Sequence, residues 1–232
     1  MNAEFDRLAG QYQELLKDPL RDYFAPGSDF FVSRKLDVML DFARAERLDT
    51  HRATWLDLGC GQGDLLRAGR SHFARAVGCD VSEAMIAAAP DLEIVVQPDA
   101  RRLPFADASL DWVTAVCVFH HVERPDRQAL TAEIVRVLKP NGVFAIIEHN
   151  PVNPAVQVIV RRTPIDAHAV LLSAGTARRL LRDAGLRISA TTYFLYVPQP
   201  LYRWGRFAER ALRRAPLGGQ YAVFGRKAGS SS

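Results

Sequence analysis

Five groups of ionisable side chains each follow a short apolar run: Asp57, Asp80, Asp99, Cys117 with His121, and Glu148 with His149. Asp57 opens the pattern Asp-x-Gly-x-Gly-x-Gly through Gly59, Gly61 and Gly63, with Cys60 between the first two glycines. Glycine tolerates positive φ and lets another molecule touch the backbone. Such a turn between a buried strand and a helix is expected to turn unpaired N–H groups toward a ligand. Asp80 ends a second apolar run about 20 residues on, where a carboxylate can accept from both hydroxyls of a ribose. Imidazoles titrate near neutrality, so His121 and His149 are candidates to take a proton from a hydroxyl within hydrogen-bond reach. His120 reads as structural. Cys117 lies near the same place, with packing as its simpler role.

These groups can meet only if the runs before them lie side by side. Leu56-Asp57-Leu58, residues 76–80, 93–97, 110–116 and 142–147 are short, apolar and rich in β-branched residues, and helical stretches alternate with them. That alternation predicts a doubly wound, mostly parallel α/β sheet covered on both faces. Ligands of such sheets bind outside the carboxyl ends of the strands, where all five groups fall. Residues 187–197 and 220–226 read as two further strands, and 176–184 as the helix before them, stopped by Gly185. Ser82 is placed to cap a helix over 82–89. Asn150-Pro151 and Asn153-Pro154 read as a turn-rich loop. Before the sheet, Phe5, Leu8, Tyr12, Leu15 and Leu16 follow a helical period; Pro26-Gly27-Ser28 interrupts it and 31–48 resumes it. The expected organisation is a helical N-terminal cap over 1–50, a main domain over 51–228 with insertions around 150–172 and 198–219, and a disordered tail over 229–232.

The glycine turn is not the dinucleotide fingerprint, because Asp64 stands where G-x-G-x-x-G needs its last glycine. A carboxylate there would repel a pyrophosphate at the helix start, which argues against a nicotinamide dehydrogenase. The acid-x-Gly-x-Gly-x-Gly pattern instead resembles motif I of class I S-adenosylmethionine-dependent methyltransferases. Asp80 resembles the ribose-binding acid of that family, Asp99-Ala100 before Leu103-Pro104-Phe105 its adenine-side motif, and residues 138–143 the loop before its fifth strand. The resemblance is specific over 53–149. It implies a seven-stranded Rossmann-like sheet, the cofactor S-adenosylmethionine with S-adenosylhomocysteine as product, and cofactor contacts from Asp57, Gly59, Cys60, Gly61, Asp80, Val81, Met85, Asp99, Ala100 and Val116. The segment around Tyr12 is similar to the part that caps the pocket in small-molecule members, so Tyr12, Phe30 and Phe31 are candidate lid or acceptor contacts, together with His149. Methyl transfer to oxygen of a small-molecule or glycan-type acceptor, in a bacterial biosynthetic pathway, is the expected activity, with His121 or His149 as base. Transfer to nitrogen, and a non-catalytic S-adenosylmethionine-binding partner protein, stay open.

Composition narrows the remaining classes. The chain has 232 residues, 48% apolar, which is enough for one large core. Its N-terminus lacks a secretory pattern and no apolar run approaches a bilayer span. Three cysteines without metal spacing read as free thiols in a reducing cytoplasm, and no metal is expected. The net charge of +4 is unevenly spread: residues 1–150 carry 17 Lys and Arg against 23 Asp and Glu, and 151–232 carry 13 against 3. Within 201–214, Leu201, Trp204, Ala208 and Leu212 recur at helical spacing and Arg203, Arg206, Arg210 and Arg213 take other faces. That helix is either packed with a solvated arginine face or laid on an anionic membrane. Few aromatic platforms accompany the arginines, so no nucleic acid is expected. No oligomeric state follows from the sequence.

Overall fold

The computed structural model describes residues 2–97 and 102–229; Asp99, Ala100 and the last three residues of the expected tail lie outside them. In chain order the elements are α1 (Asn2–Leu8), α2 (Tyr12–Leu15), α3 (Pro19–Phe24), α4 (Asp29–Ala45), β1 (Thr54–Leu58), α5 (Asp64–Gly69), β2 (Arg75–Asp80) and α6 (Glu83–Ala87). There follow β3 (Ile94–Val96), β4 (Leu110–Val116), α7 (Arg124–Val137), β5 (Leu138–His149), α8 (Pro154–Arg162), α9 (Ala174–Asp183), β6 (Arg187–Phe194), α10 (Gln199–Leu212) and β7 (Gln220–Arg226). The described strands form one sheet in the order β3-β2-β1-β4-β5-β7-β6. β1 pairs in parallel with both β2 and β4, and β7 is antiparallel to β5 and β6. The strand order therefore reverses between β1 and β4, and the chains leaving those strands part there to open a crevice at their carboxyl ends.

Alternation along the strands divides the core between two faces. Leu56, Leu58, Val113, Ala115, Phe144 and Ile146 pack with α7 and α9, while Trp55, Trp112, Val143, Ala145 and Ile147 pack with α4 and α5. On the second face the Trp55 and Trp112 indoles both donate to the hydroxyl of buried Thr114, each at 3.0 Å. Phe42 of α4 stacks on Phe224 of β7 at 4.0 Å, which ties the N-terminal helices to the far side of the sheet.

Three expectations need correction. Asn153-Pro154 starts α8 rather than a loop: Asn153 Oδ1 accepts from the amides of Ala155 and Val156, and Pro154 takes the first turn, where no N–H is needed. Residues 139–142 lie inside β5, because the register shifts between Leu110 and Trp112 and absorbs them as a bulge. β6 ends at Phe194 instead of reaching 197, since Leu195 has φ +61 and turns the chain away.

Thr114→Val leaves two buried indole N–H groups without their acceptor. The substitution should lower unfolding free energy by about 2–4 kcal/mol, read by urea denaturation, with the native circular dichroism spectrum retained.

Candidate active site

The glycine turn leaves β1 at Asp57 with Gly59, Gly61 and Gly63 at φ +68, +53 and +76. Gly59 has a second reason to be glycine: a Cβ there would lie 2.4 Å from Val118 Cγ2, on the loop after β4. The amides of the turn do not await a ligand as the sequence suggested. Gly59 and Cys60 both donate to the Cys79 carbonyl, Gly63 to the Cys60 carbonyl, and Gly61 to Asp80 Oδ2 at 2.7 Å. A tight turn lying against β2 satisfies these buried donors internally. Asp57 and Asp80 bring two carboxylates to the crevice beside the turn. Asp80 Oδ1 accepts from the Ser82 amide at 2.9 Å, and with about four lone-pair sites on its two oxygens the carboxylate keeps acceptor capacity for a further donor.

A cavity of about 500 Å³ opens at these strand ends. The fold brings Asp57, Gly59, Cys60, Gly61, Asp80, Val81, Met85 and Val116 to its wall. Tyr12 and Phe31 face it from the N-terminal helices, and His121 and His149 from the ends of β4 and β5. Phe30 does not join them: it is buried against Tyr202 of α10, ring centroids 5.3 Å apart, because the next position on α4 takes the cavity side. Cys117 lines the cavity at φ +56, accepts weakly from Gln220 Nε2 at 3.6 Å, and has its thiol pushed up by burial to about 11, so it is not an activated nucleophile.

Burial pushes the Asp57 carboxyl up to about 8, with Lys35 opposing and Asp80 adding to the effect. Asp80 is also raised by burial, against the three backbone N–H groups it accepts from. At the other wall a chain of charges runs Glu148–His120–Asp166–His121. Glu148 Oε1 accepts from the Phe119 amide, and its Oε2 sits 2.5 Å from His120 Nδ1. His120 Nε2 lies 3.2 Å from Asp166 Oδ1, and His121 Nε2 3.4 Å from the same oxygen. Burial alone would make His120 less basic; Glu148 and the Asp166 hydrogen bond outweigh it and hold the imidazole well above its ordinary range. An imidazolium at this position donates from both nitrogens, to Glu148 and to Asp166. Burial, then the charge on His120, lowers both His121 and His149 to about 4, so both are neutral at physiological pH.

Sequence reasoning missed Lys35, Gln97, Asp166 and Gln220, all on the cavity wall. None sits in a motif; Lys35 and Asp166 come from segments whose approach to the sheet depends on helix packing. Gln220 begins β7 opposite His149, and its Oε1 is buried without a hydrogen-bond partner among the described residues. The sequence has no metal-ligand spacing, yet His120, His121 and Asp166 offer ligand atoms within 4.8 Å of one another, a set open in principle to a divalent ion as well as to the hydrogen bonds it makes.

The site fits S-adenosylmethionine on the chemistry of its donors. A carboxylate with spare acceptor capacity stands at the tip of β2, a second buried carboxyl stands where a cation would ionise it, and a glycine-rich turn lies between them. The family described as "Methyltransferase domain" matches residues 56–146. The O-methyltransferase resE of Aspergillus sclerotiorum is 30% identical over 207 residues, covering 80% of this chain and 76% of that protein. The 27-O-demethylrifamycin SV methyltransferase of Amycolatopsis mediterranei is 33% identical over 125 residues, covering 50% of this chain and 43% of that one. The crystal structure of a SAM-dependent methyltransferase from Archaeoglobus fulgidus superposes with a TM-score of 0.65 at 20% identity, over 87% of this chain and 95% of that one, a likeness of fold. The chain spans only 28% to 52% of the length of several other curated relatives, the rifamycin enzyme among them. From the glycine turn to β5, and over most of its length against the Aspergillus enzyme, this chain belongs to the class I S-adenosylmethionine-dependent methyltransferases.

Proposed function

We propose that the chain transfers a methyl group from S-adenosylmethionine to a hydroxyl oxygen of a small, largely apolar acceptor. The observation that carries this reading is the His121–Asp166 pair on the cavity wall: a neutral imidazole held by a carboxylate at 3.4 Å. When bound, the cofactor supplies an activated methyl group on a sulfonium, so the protein's part is alignment and exclusion of water. Asp80 would hold the ribose hydroxyls, and Asp57 would face the cationic end of the cofactor. With its proton on Nε2, the nitrogen 3.4 Å from Asp166, His121 would accept the hydroxyl proton at Nδ1. The Asp166 carboxylate offsets the charge that His121 then gains, as the orienting partner of a base does. His149 lies beside the same space and would contact the acceptor.

Several features support the acceptor class. The cavity side of the N-terminal helices is aromatic, with Phe24 and Phe31 stacked at 6.1 Å and Tyr12 beside them. Val156, Ile159 and Ile165 add an apolar wall from the 150–172 insertion, and Pro198 and Leu217 from 198–219. Such a lining favours an apolar small molecule over a glycan. Residues 1–50 would serve as the lid, and the two insertions as the acceptor side. Two relatives named for O-methylation point the same way.

Three measurements test the reading. Asp80→Ala should weaken S-adenosylhomocysteine binding by about 1.5–3 kcal/mol, since a charge-assisted pair is lost; unchanged affinity by isothermal titration removes Asp80 from the site. Below about pH 8 Asp57 is a neutral acid, and a cation beside it favours the carboxylate. Cofactor binding should therefore release a proton below that pH, and affinity should rise between pH 6 and 8 and then level. Titrations in buffers of different ionisation enthalpy read the proton, and Asp57→Asn should abolish the slope. His121→Ala should lower turnover roughly 10²–10⁴-fold with cofactor affinity nearly intact, and the acid limb of the wild-type rate profile should fall near pH 4 rather than 6.5. Equal loss of turnover and of affinity would make His121 structural.

A further inference from the structure

We infer that α10 is a membrane-docking helix whose outward face seats on an anionic lipid bilayer. A surface helix ordinarily turns its apolar stripe toward the core; α10 does the reverse. At about 3.6 residues per turn, Tyr202, Gly205 and Glu209 share the protein-facing side, and only Glu209 of the helix is fully buried. The attachment joins the Phe30–Tyr202 ring contact to a polar clamp. Glu209 Oε1 pairs with Arg34 at 2.6 Å, its Oε2 accepts from the Tyr196 amide at 2.9 Å, and a Cβ on Gly205 would lie 2.7 Å from Val197 Cγ1. The large apolar residues face away: Leu201 is 59% exposed, Trp204 74%, Phe207 68% and Leu212 44%.

Charge selects the occupant. Arg203, Arg206, Arg210 and Arg213 run along the flank of the apolar stripe, and no carboxylate among the described residues pairs with them. Arg203 lies over the Trp204 ring at 4.5 Å and Arg206 over Phe207 at 5.0 Å, so the cations sit at the level of the aromatics. Of the three acids in residues 151–232, Asp166 is engaged in the histidine network and Glu209 is buried with Arg34. Asp183 is the third; from the rest of the chain Asp18 faces Arg162 and Glu46 faces Arg226, neither of them on α10. An apolar stripe bordered by arginines is complementary to a bilayer carrying anionic headgroups. A second copy would bring two arginine rows together and is disfavoured by like-charge repulsion. No helix among the described residues is long and apolar enough to cross a membrane, so α10 would lie in the interface.

The segments flanking α10 reach the cavity, at Pro198 before it and Leu217 after it. Leu217, just after α10, is exposed and also lines the cavity, as does Tyr23 of α3. Seated on a bilayer, the mouth would open toward the phase in which an apolar acceptor partitions. This last clause rests on the proposed function; docking itself does not.

Vesicles of phosphatidylcholine, with and without phosphatidylglycerol, test docking without any turnover. Trp55 and Trp112 are buried, so the solvent-exposed part of the tryptophan emission comes from Trp204. The full chain should float with the phosphatidylglycerol vesicles, shift that emission to the blue, and be released as salt rises. Arg203→Gln, Arg206→Gln and Arg210→Gln together should weaken partition on the order of a hundredfold, and lysines at the three positions should restore it. Trp204→Ala with Phe207→Ala should also abolish flotation, with thermal unfolding unchanged. Trp204 emission unmoved by phosphatidylglycerol vesicles overturns the inference. So does a blue shift that follows protein concentration without lipid, with a dimer seen by sedimentation. Loss of methyl transfer with docking intact would count against the proposed function alone.

Discussion

The Asp80 carboxylate is the tie on which the arrangement of the crevice depends. It accepts from Gly61 on one side and Ser82 on the other, so a single buried side chain sets the glycine turn relative to the start of α6. Ser82 passes the constraint outward: its hydroxyl accepts from the Met85 amide and donates to Asp6 of α1 at 2.6 Å. Gln62 Nε2 adds a bond to the Ala9 carbonyl at 3.0 Å. The N-terminal helices are thus hung directly on the turn that they cover. Buried charge-assisted bonds of this kind are short and directional, so a ligand that draws on Asp80 would be felt in the position of the lid.

The opposite wall solves a different electrostatic problem. Two carboxylates, buried Glu148 and half-buried Asp166, lie beside three imidazoles, and one proton too many or too few would leave an unpaired charge in an apolar setting. His120 carries the cation and satisfies both acids, which holds Glu148 and Asp166 below the usual carboxylate range despite burial. Burial, with that charge in the middle, lowers His121 and His149 to about 4 and favours their neutral forms. Neighbouring rings, 4.2 and 5.6 Å from His120, are therefore divided into one structural cation and two neutral groups by position alone.

α10 belongs to neither wall. Its inward side needs little apolar area because Arg34 and Glu209 hold it, and this frees the apolar stripe for another medium. Helix amphipathicity is visible in a sequence; which side meets the protein is not.

Much of the frame was legible in the sequence. Strand runs of apolar, β-branched residues, the glycine turn and the ionisable groups after the first five strands are local signals, and the parallel order with its crevice follows from them and from handedness rules. Capping at Ser82 and the stop at Gly185 are equally local. Asn153-Pro154 was ambiguous, because the same pair serves a turn or a helix start until Val156 and Val160 find a core to bury against. Only the tertiary structure decided that the amides of the glycine turn are consumed internally, that Phe31 rather than Phe30 faces the cavity, and that Lys35, Asp166 and Gln220 reach it. Those outcomes depend on how distant segments pack, whereas the strands and turns answer to neighbours a few residues away. Protonation is the extreme case: His120 and His121 are adjacent in sequence, yet burial and two remote carboxylates give them opposite charge states.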